Sequence, residues 1–263
     1  MMNVLDIKPS ASGITVLTAG GPHAWIMINA LRDRFGDVSV IKEAGEPAEV
    51  FWARRKRLLG PLKVASMQAA RIPIKLMKRG TDKRIKELVE THRLKPEQPN
   101  DLQVIDVESV NSVEARAALQ ATKPKAVFVI STRMLNTRTL NSVDAPFINY
   151  HSGINPAYRG MFGGYFALAR GEPQHFGATV HLIDEGVDTG EILYQSQVDV
   201  SPKDNFHTYL WVMAAGSRDI VTRAMEDAVT GNLNTKTVNM PSNQYFAPTL
   251  GGYLWSGVTR GVW

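Results

Sequence analysis

Ile14-Thr15-Val16-Leu17-Thr18-Ala19-Gly20-Gly21-Pro22 is the stretch on which the reading of the fold turns. Its first five residues form a strand pattern, and a glycine pair follows where the strand must turn. Beyond it, Ile26, Ile28, Leu31 and Phe35 are spaced for one face of a helix, and Val38 to Ile41 reads as a second strand. The chain therefore opens β–loop–α–β, as mononucleotide-binding α/β domains do. The glycine pair alone does not distinguish a ligand-binding turn from a plain tight one.

Working outward, the same rhythm returns after residue 104. Val104-Ile105-Val107 brackets a strand, and a helix follows from Ser112 to Ala121. Ala126-Val127-Phe128-Val129-Ile130-Ser131 is apolar throughout, as a strand covered on both faces should be. Further strands are expected at Pro146 to His151, Phe176 to Ile183 and Ile192 to Val198, with helices at Gly163 to Arg170 and Asn205 to Val229. The expected class is α/β, with a Rossmann-like domain over 1–230 and an irregular, aromatic tail over 231–263.

Residues 45–95 break the rhythm. They read as basic helices at Ala48 to Leu59, Leu62 to Lys78 (interrupted near Pro73) and Thr81 to Leu94. Between Phe51 and Lys95 stand 14 Lys or Arg and three acids, so this segment is strongly positive although the whole chain carries a net charge of only +5. Three readings stay open: a solvated insertion, a surface that attracts an anionic substrate, or an anionic membrane surface bound through residues 51–95. Charge alone also permits nucleic acid, but no recognition motif supports it.

Composition narrows the chemistry. Hydrophobic residues at 44% support a folded core, and the absence of cysteine removes disulfides, thiolate nucleophiles and Cys-ligated metals. No run approaches the roughly 18 apolar residues of a membrane span. The start, Met1 to Lys8, lacks signal-peptide character, so a cytoplasmic protein is expected.

The densest chemical signal lies between 147 and 192. Asn149 and His151 alternate on one strand and so share a face. Asp184-Glu185-Gly186-Val187-Asp188-Thr189-Gly190 forms an acidic turn between two later strands. An amide donor, an imidazole and a carboxylate suit acyl transfer to an amine: Asn149 and protonated His151 stabilise an oxyanion, and Asp188 holds the imidazolium. No serine sits in a nucleophile elbow, so direct attack by the substrate amine is the simpler route. A metal reading through His151, His181 and Asp188 matches no standard ligand spacing, and no metal is expected.

Four ordered blocks carry a resemblance. Asn149-Tyr150-His151, Pro156-Ala157-Tyr158-Arg159-Gly160, Gly177-Ala178-Thr179-Val180-His181 and Asp188-Thr189-Gly190-Glu191-Ile192 are similar to the folate-dependent formyltransferases. The likeness is clear over about 124–200, extends to 13–42, and is absent over 45–95. It implies 10-formyltetrahydrofolate as donor and Asn149, His151 and Asp188 as the catalytic set. It also implies a folate pocket from Arg133, Met134 and Leu135 together with Asp184, Glu185, Gly186 and Val187. His181 falls in the family's scaffold. Gly20, Gly21, Tyr158, Met161 and Phe162 are the expected acceptor-side residues.

Departures from the resemblance bear on the acceptor. The purine enzymes of the family, which act on phosphoribosylglycinamide, carry a Gly-Ser-Asn turn where this chain has Gly20-Gly21-Pro22-His23. They also use a glutamate on the late helix, where Asn205 to Arg218 contains no acid. The tRNA enzymes carry a further C-terminal domain of roughly a hundred residues, and with about 34 residues after Val229 no such domain is expected here. An amino sugar, often nucleotide-linked, is the acceptor left by elimination. Phosphoribosylglycinamide, water as acceptor, and a non-catalytic membrane or nucleic-acid adaptor are the competing readings. The aromatic tail is expected to supply stacking, a strap or a homodimer surface.

Overall fold

A computed structural model of the chain describes residues 7–78 and 80–263. Met1 to Asp6, within the N-terminal stretch read above, and Arg79 lie outside the described residues.

The expected elements form in the expected order. Strand β1 (Ile14–Thr18) leads through Gly20 and Gly21, at φ 81° and 97°, into α1 (Pro22–Phe35) and β2 (Ser39–Glu43). Both glycines occupy backbone conformations that side chains resist, which explains their place at the turn. Three helices follow: α2 (Ala48–Leu59), α3 (Pro61–Leu76) and α4 (Thr81–His92). Then come β3 (Val104–Val107), α5 (Val113–Thr122) and β4 (Ala126–Ile130). A short α6 (Thr137–Leu140) precedes β5 (Phe147–His151). A two-residue β6 (Arg159–Gly160), α7 (Gly163–Ala169), β7 (Gly177–Leu182), β8 (Ile192–Gln197) and α8 (Tyr209–Thr230) complete the α/β body.

The central sheet has seven strands in the order β3-β2-β1-β4-β5-β7-β8. The first five are parallel, and β7 and β8 extend one edge in antiparallel fashion. Strand alternation sorts the core. Phe128, Ile130, Ile148 and Tyr150 pack with α1 and α8 on one face, while Val127, Val129 and Phe147 pack with Ala118 and Leu119 of α5 on the other. All five residues of β4 are buried, so each large apolar side chain there contributes about 1.5–3 kcal/mol. Strand order reverses between β1 and β4, and a crevice opens at the carboxyl ends of the strands beside this switch.

Pro73 does not interrupt α3, which runs to Leu76. It stands near the helix end, so its missing N–H costs one intrahelical bond and little more follows it. The insertion is tied to the body: Arg84 makes two bonds, of 2.8 and 3.2 Å, to the buried carboxylate of Asp204, and His207 Nε2 lies 2.7 Å from the Ile74 carbonyl.

The tail differs from the expectation of irregular chain. Strand β9 (Gln244–Tyr245) pairs in parallel with β6, and α9 (Leu250–Arg260) follows with the Thr249 hydroxyl accepting from the Gly252 N–H at 3.2 Å. Three glycines in α9 weaken its intrinsic helix preference, which hid it from periodicity. Packing of Tyr253, Ser256 and Gly257 inward stabilises it instead. No helix among the described residues is long and apolar enough to cross a membrane.

Candidate active site

Asn149 and His151 sit at the carboxyl end of β5, on the face that β-strand alternation assigns them, with Asn149 directly opposite His181 of β7. The β7–β8 turn brings Asp188 onto the same point. Asp188 adopts φ 52°, in the left-handed region, and its loop is pinned by Asp184, whose Oδ1 accepts from the Gly186 N–H at 3.0 Å and from the Thr189 hydroxyl at 2.7 Å. Asn155 Nδ2 donates to the Asp188 carbonyl at 3.1 Å, and Arg159 Nη1 donates to the Val187 carbonyl at 2.6 Å. The backbone strain at Asp188 is thus held by its neighbours on both sides.

Its carboxylate is heavily partnered. Oδ2 accepts from the Gly160 N–H at 2.8 Å and lies 3.4 Å from His151 Nδ1. Oδ1 accepts from Asn149 Nδ2 at 3.3 Å and lies 3.5 Å from His181 Nε2. Burial by itself would raise the Asp188 pKa. The charge of His151, the contacts with His181 and the Gly160 amide outweigh it and hold the carboxyl well below its ordinary range. Asp188 is therefore an anion at neutral pH.

His151 Nε2 lies 2.7 Å from the Tyr158 carbonyl while Nδ1 faces Asp188. Two acceptors on two ring nitrogens are fully satisfied only when both carry protons. His181 Nδ1 lies 2.7 Å from the Leu182 carbonyl, and its Nε2 stands 3.1 Å from Asn149 Nδ2 and 3.5 Å from the Asp188 carboxylate. His181 is thereby a buried partner that fixes the Asn149 amide. Gly153 is part of the same packing: a Cβ there would lie 2.5 Å from both His151 Nε2 and the Tyr158 carbonyl.

These groups stand at the base of a cleft of about 670 Å³, a size ordinary for a small-molecule site. Of the expected folate contacts, Arg133, Met134, Leu135, Asp184, Gly186 and Val187 line it. Glu185 does not; it meets the Thr137 hydroxyl at 3.4 Å. Arg133 lines the wall with its charge already spent: its guanidinium lies 2.7 Å from buried Glu43 and donates to the Ala44 carbonyl at 2.7 Å.

Of the expected acceptor residues, only Met161 lines the cleft. Tyr158 is buried, with its hydroxyl donating to Glu172 at 2.5 Å and its ring stacked on Tyr245, so it offers His151 only its backbone carbonyl. Phe162 turns inward onto Phe206, 4.8 Å between ring centres. At the first turn, Ala19 and His23 face the cleft in place of Gly20 and Gly21. His23 Nε2 lies 2.7 Å from the Ser131 hydroxyl, and burial holds its pKa below the usual imidazole value.

Sequence reasoning missed one whole wall. Phe51, Arg54, Arg55 and Leu58 of α2 line the cleft, and Gln244, Tyr245 and Phe246 of the tail meet them. The Arg55 guanidinium lies 5.1 Å from the Phe51 ring centre and 4.8 Å from that of Phe246, and one amino group reaches Met161 Sδ at 3.5 Å. Burial, then the neighbouring charge of Arg54, lowers its pKa. Arg54 instead pairs with Glu46 at 2.8 Å. The aromatic-arginine run from Phe51 to Arg55 was the available signal.

A family model described as formyl transferase matches residues 17–215. A methionyl-tRNA formyltransferase of Acidobacterium capsulatum is 36% identical over 103 residues, which cover 38% of this chain and 33% of that protein. The chain thus spans about a third of that curated relative in the matched region. Among solved structures, glycinamide ribonucleotide transformylase 1 from Symbiobacterium toebii gives a TM-score of 0.54 at 20% identity, covering 83% of this chain and 87% of its own. An N-formyltransferase from Helicobacter canadensis, in complex with folinic acid and dTDP-3-aminofucose, gives 0.53 at 13% identity, covering 89% of this chain and 70% of its own. At those identities the two structures speak to the fold.

Proposed function

Starting from the chain's membership of the formyl transferase family, which the match over residues 17–215 establishes, we propose that it moves the formyl group of 10-formyltetrahydrofolate to a primary amine of a small acceptor. The observation that carries this reading is the convergence of Asn149, His151 and Asp188 at the base of one cleft. Met134, Leu135, Asp184, Gly186 and Val187 line the same cleft as the catalytic set, which supports a folate head held there.

The step needs no covalent enzyme intermediate. A neutral amine attacks the formyl carbon, a C–N bond forms, and the carbonyl oxygen becomes an oxyanion. Asn149 N–H and the His151 imidazolium, both lining the cleft, stabilise that charge. Asp188, held ionised, keeps His151 charged and oriented. The bond from carbon to the folate N10 then breaks, and the proton lost by the attacking amine ends on that nitrogen. The products are a formamide and tetrahydrofolate.

For the acceptor, the reading extends to an amino sugar whose nucleotide diphosphate approaches Arg55. Arg55 supports this because it faces the cleft with no carboxylate of its own. The Helicobacter canadensis protein, crystallised with dTDP-3-aminofucose, is consistent with it.

The test is tetrahydrofolate production from 10-formyltetrahydrofolate with phosphoribosylglycinamide, nucleotide-linked amino sugars, or no amine. Turnover dependent on an amino sugar supports the full reading. Turnover with phosphoribosylglycinamide alone moves the acceptor to the purine substrate, and formate release without amine makes the protein a hydrolase.

A further inference from the structure

Helix α3 has two apolar faces and buries only one. Val64, Met67 and Ala70 turn inward. Leu62, Ala65, Ala69, Ile72 and Leu76, spaced by three and four residues, form a second stripe. Leu62 is 86% exposed, Ile72 66% and Leu76 76%. Helix α9 packs beside α3, with the Leu250 N–H donating to the Ser66 hydroxyl at 3.2 Å, and presents Trp255 and Val258 at 67% and 78% exposure. Two adjacent helices with unpartnered apolar faces exceed what scattered surface residues require.

The charge around them selects the occupant. From Val50 to Thr81 the sequence holds nine Lys or Arg and no acid, and no acid occurs after Asp227. Lys63, Arg71, Lys75 and Lys78 are exposed and have no carboxylate partner among the described residues. A second copy docking here would bring two strongly positive segments close together. An anionic lipid surface would take up the apolar stripe directly, while the cations on the flanks and far side of α3 supply a longer-range attraction. An exposed indole such as Trp255 suits the headgroup boundary. We propose that α3 and α9 attach the protein peripherally to an anionic bilayer. Leu58, on α2 before the Gly60 break that separates it from α3, lines the cleft and is 63% exposed. The attachment is independent of the reaction proposed above.

The experiment is co-sedimentation of the full chain with phosphatidylcholine vesicles, with and without about 30 mol % phosphatidylglycerol. The expected result is at least about tenfold stronger partitioning to the anionic vesicles, with most of it lost between about 0.05 and 0.5 M salt. The double variant Ile72→Glu, Leu76→Glu lowers partitioning about tenfold with an unchanged thermal melt, because both side chains are already exposed. The emission difference between the native chain and Trp255→Phe shifts to the blue on anionic vesicles. No partitioning at low salt overturns the proposal, as does partitioning that the double variant leaves intact. A concentration-dependent dimer that the double variant abolishes, with no vesicle binding, assigns the face to a second copy instead.

Discussion

At the base of the cleft, Asp188 is met by His151, His181, Asn149 and the Gly160 amide; on the opposite wall, Arg55 is flanked by two aromatic rings and a thioether. Both charges are partly buried and both face the same space. The first belongs to a network drawn from β5, β6, β7 and the β7–β8 turn, in which the carboxylate is met on both oxygens. The second sits on a helix with no buried residues and meets the tail at the ring of Phe246. Preorganisation belongs to the chemistry that stabilises developing charge. An arginine without a carboxylate suits a group brought by the ligand.

The comparison breaks most sharply at Asp188. Asp188→Asn keeps the size and removes the charge, so turnover should fall by about three orders of magnitude while folate binding persists. Stopped-flow turnover beside folate titration checks this, and near-normal turnover would remove Asp188 from the catalytic set. The same residue predicts a pH signature. Its pKa is lowered in the folded state, so its stabilising contribution is full above the ordinary carboxylate value and fades as pH falls below it. Denaturant titrations from pH 7 down should therefore show the stability gap between native chain and Asp188→Asn narrowing below about pH 4.

Gly153→Ala probes the same network without touching a charge. Its methyl group would press on His151 Nε2 and the Tyr158 carbonyl together. The ring must move, and about a hundredfold loss in kcat is expected with folate affinity little changed. On the other wall, Arg55→Leu should raise the acceptor KM about tenfold and leave kcat and the folate KM near native. A fall in kcat of the size seen for Asp188→Asn would erase the distinction between the walls.

The sequence made the rigid half legible because its information is local. Asn149 and His151 share a face by strand period, and the glycines around Asp188 mark a turn. The three insertion helices were legible for the same reason. What periodicity does not carry is where a helix is laid down. Nothing within residues 48–59 says that α2 covers the cleft; that depends on Phe246, brought back by the pairing of β9 with β6. Nor does it carry side-chain direction in the irregular chain after His151, which is why Tyr158 and Phe162 were expected at the acceptor and instead pack inward. Helix α9 escaped notice because its glycines contradict its environment, and packing decides.

The smallest expected effect is at Tyr158, and it tests how that inward packing relates to the site. The Tyr158 hydroxyl donates to Glu172, and the ring lies between Tyr245 and His175. Burial first, then the Glu172 carboxylate, pushes the phenol pKa upward, so it stays protonated and is no acid or base at neutral pH. Tyr158→Phe removes one hydrogen bond and keeps the backbone carbonyl that faces His151. The expected cost is about 1 kcal/mol of stability, read as a lower denaturation midpoint, with kcat and both KM values unchanged. A selective rise in the acceptor KM would return the Tyr158 side chain to the binding surface. It would also show that the tail strand opens to admit the acceptor, which would dissolve the contrast between a fixed catalytic wall and a wall that only receives charge.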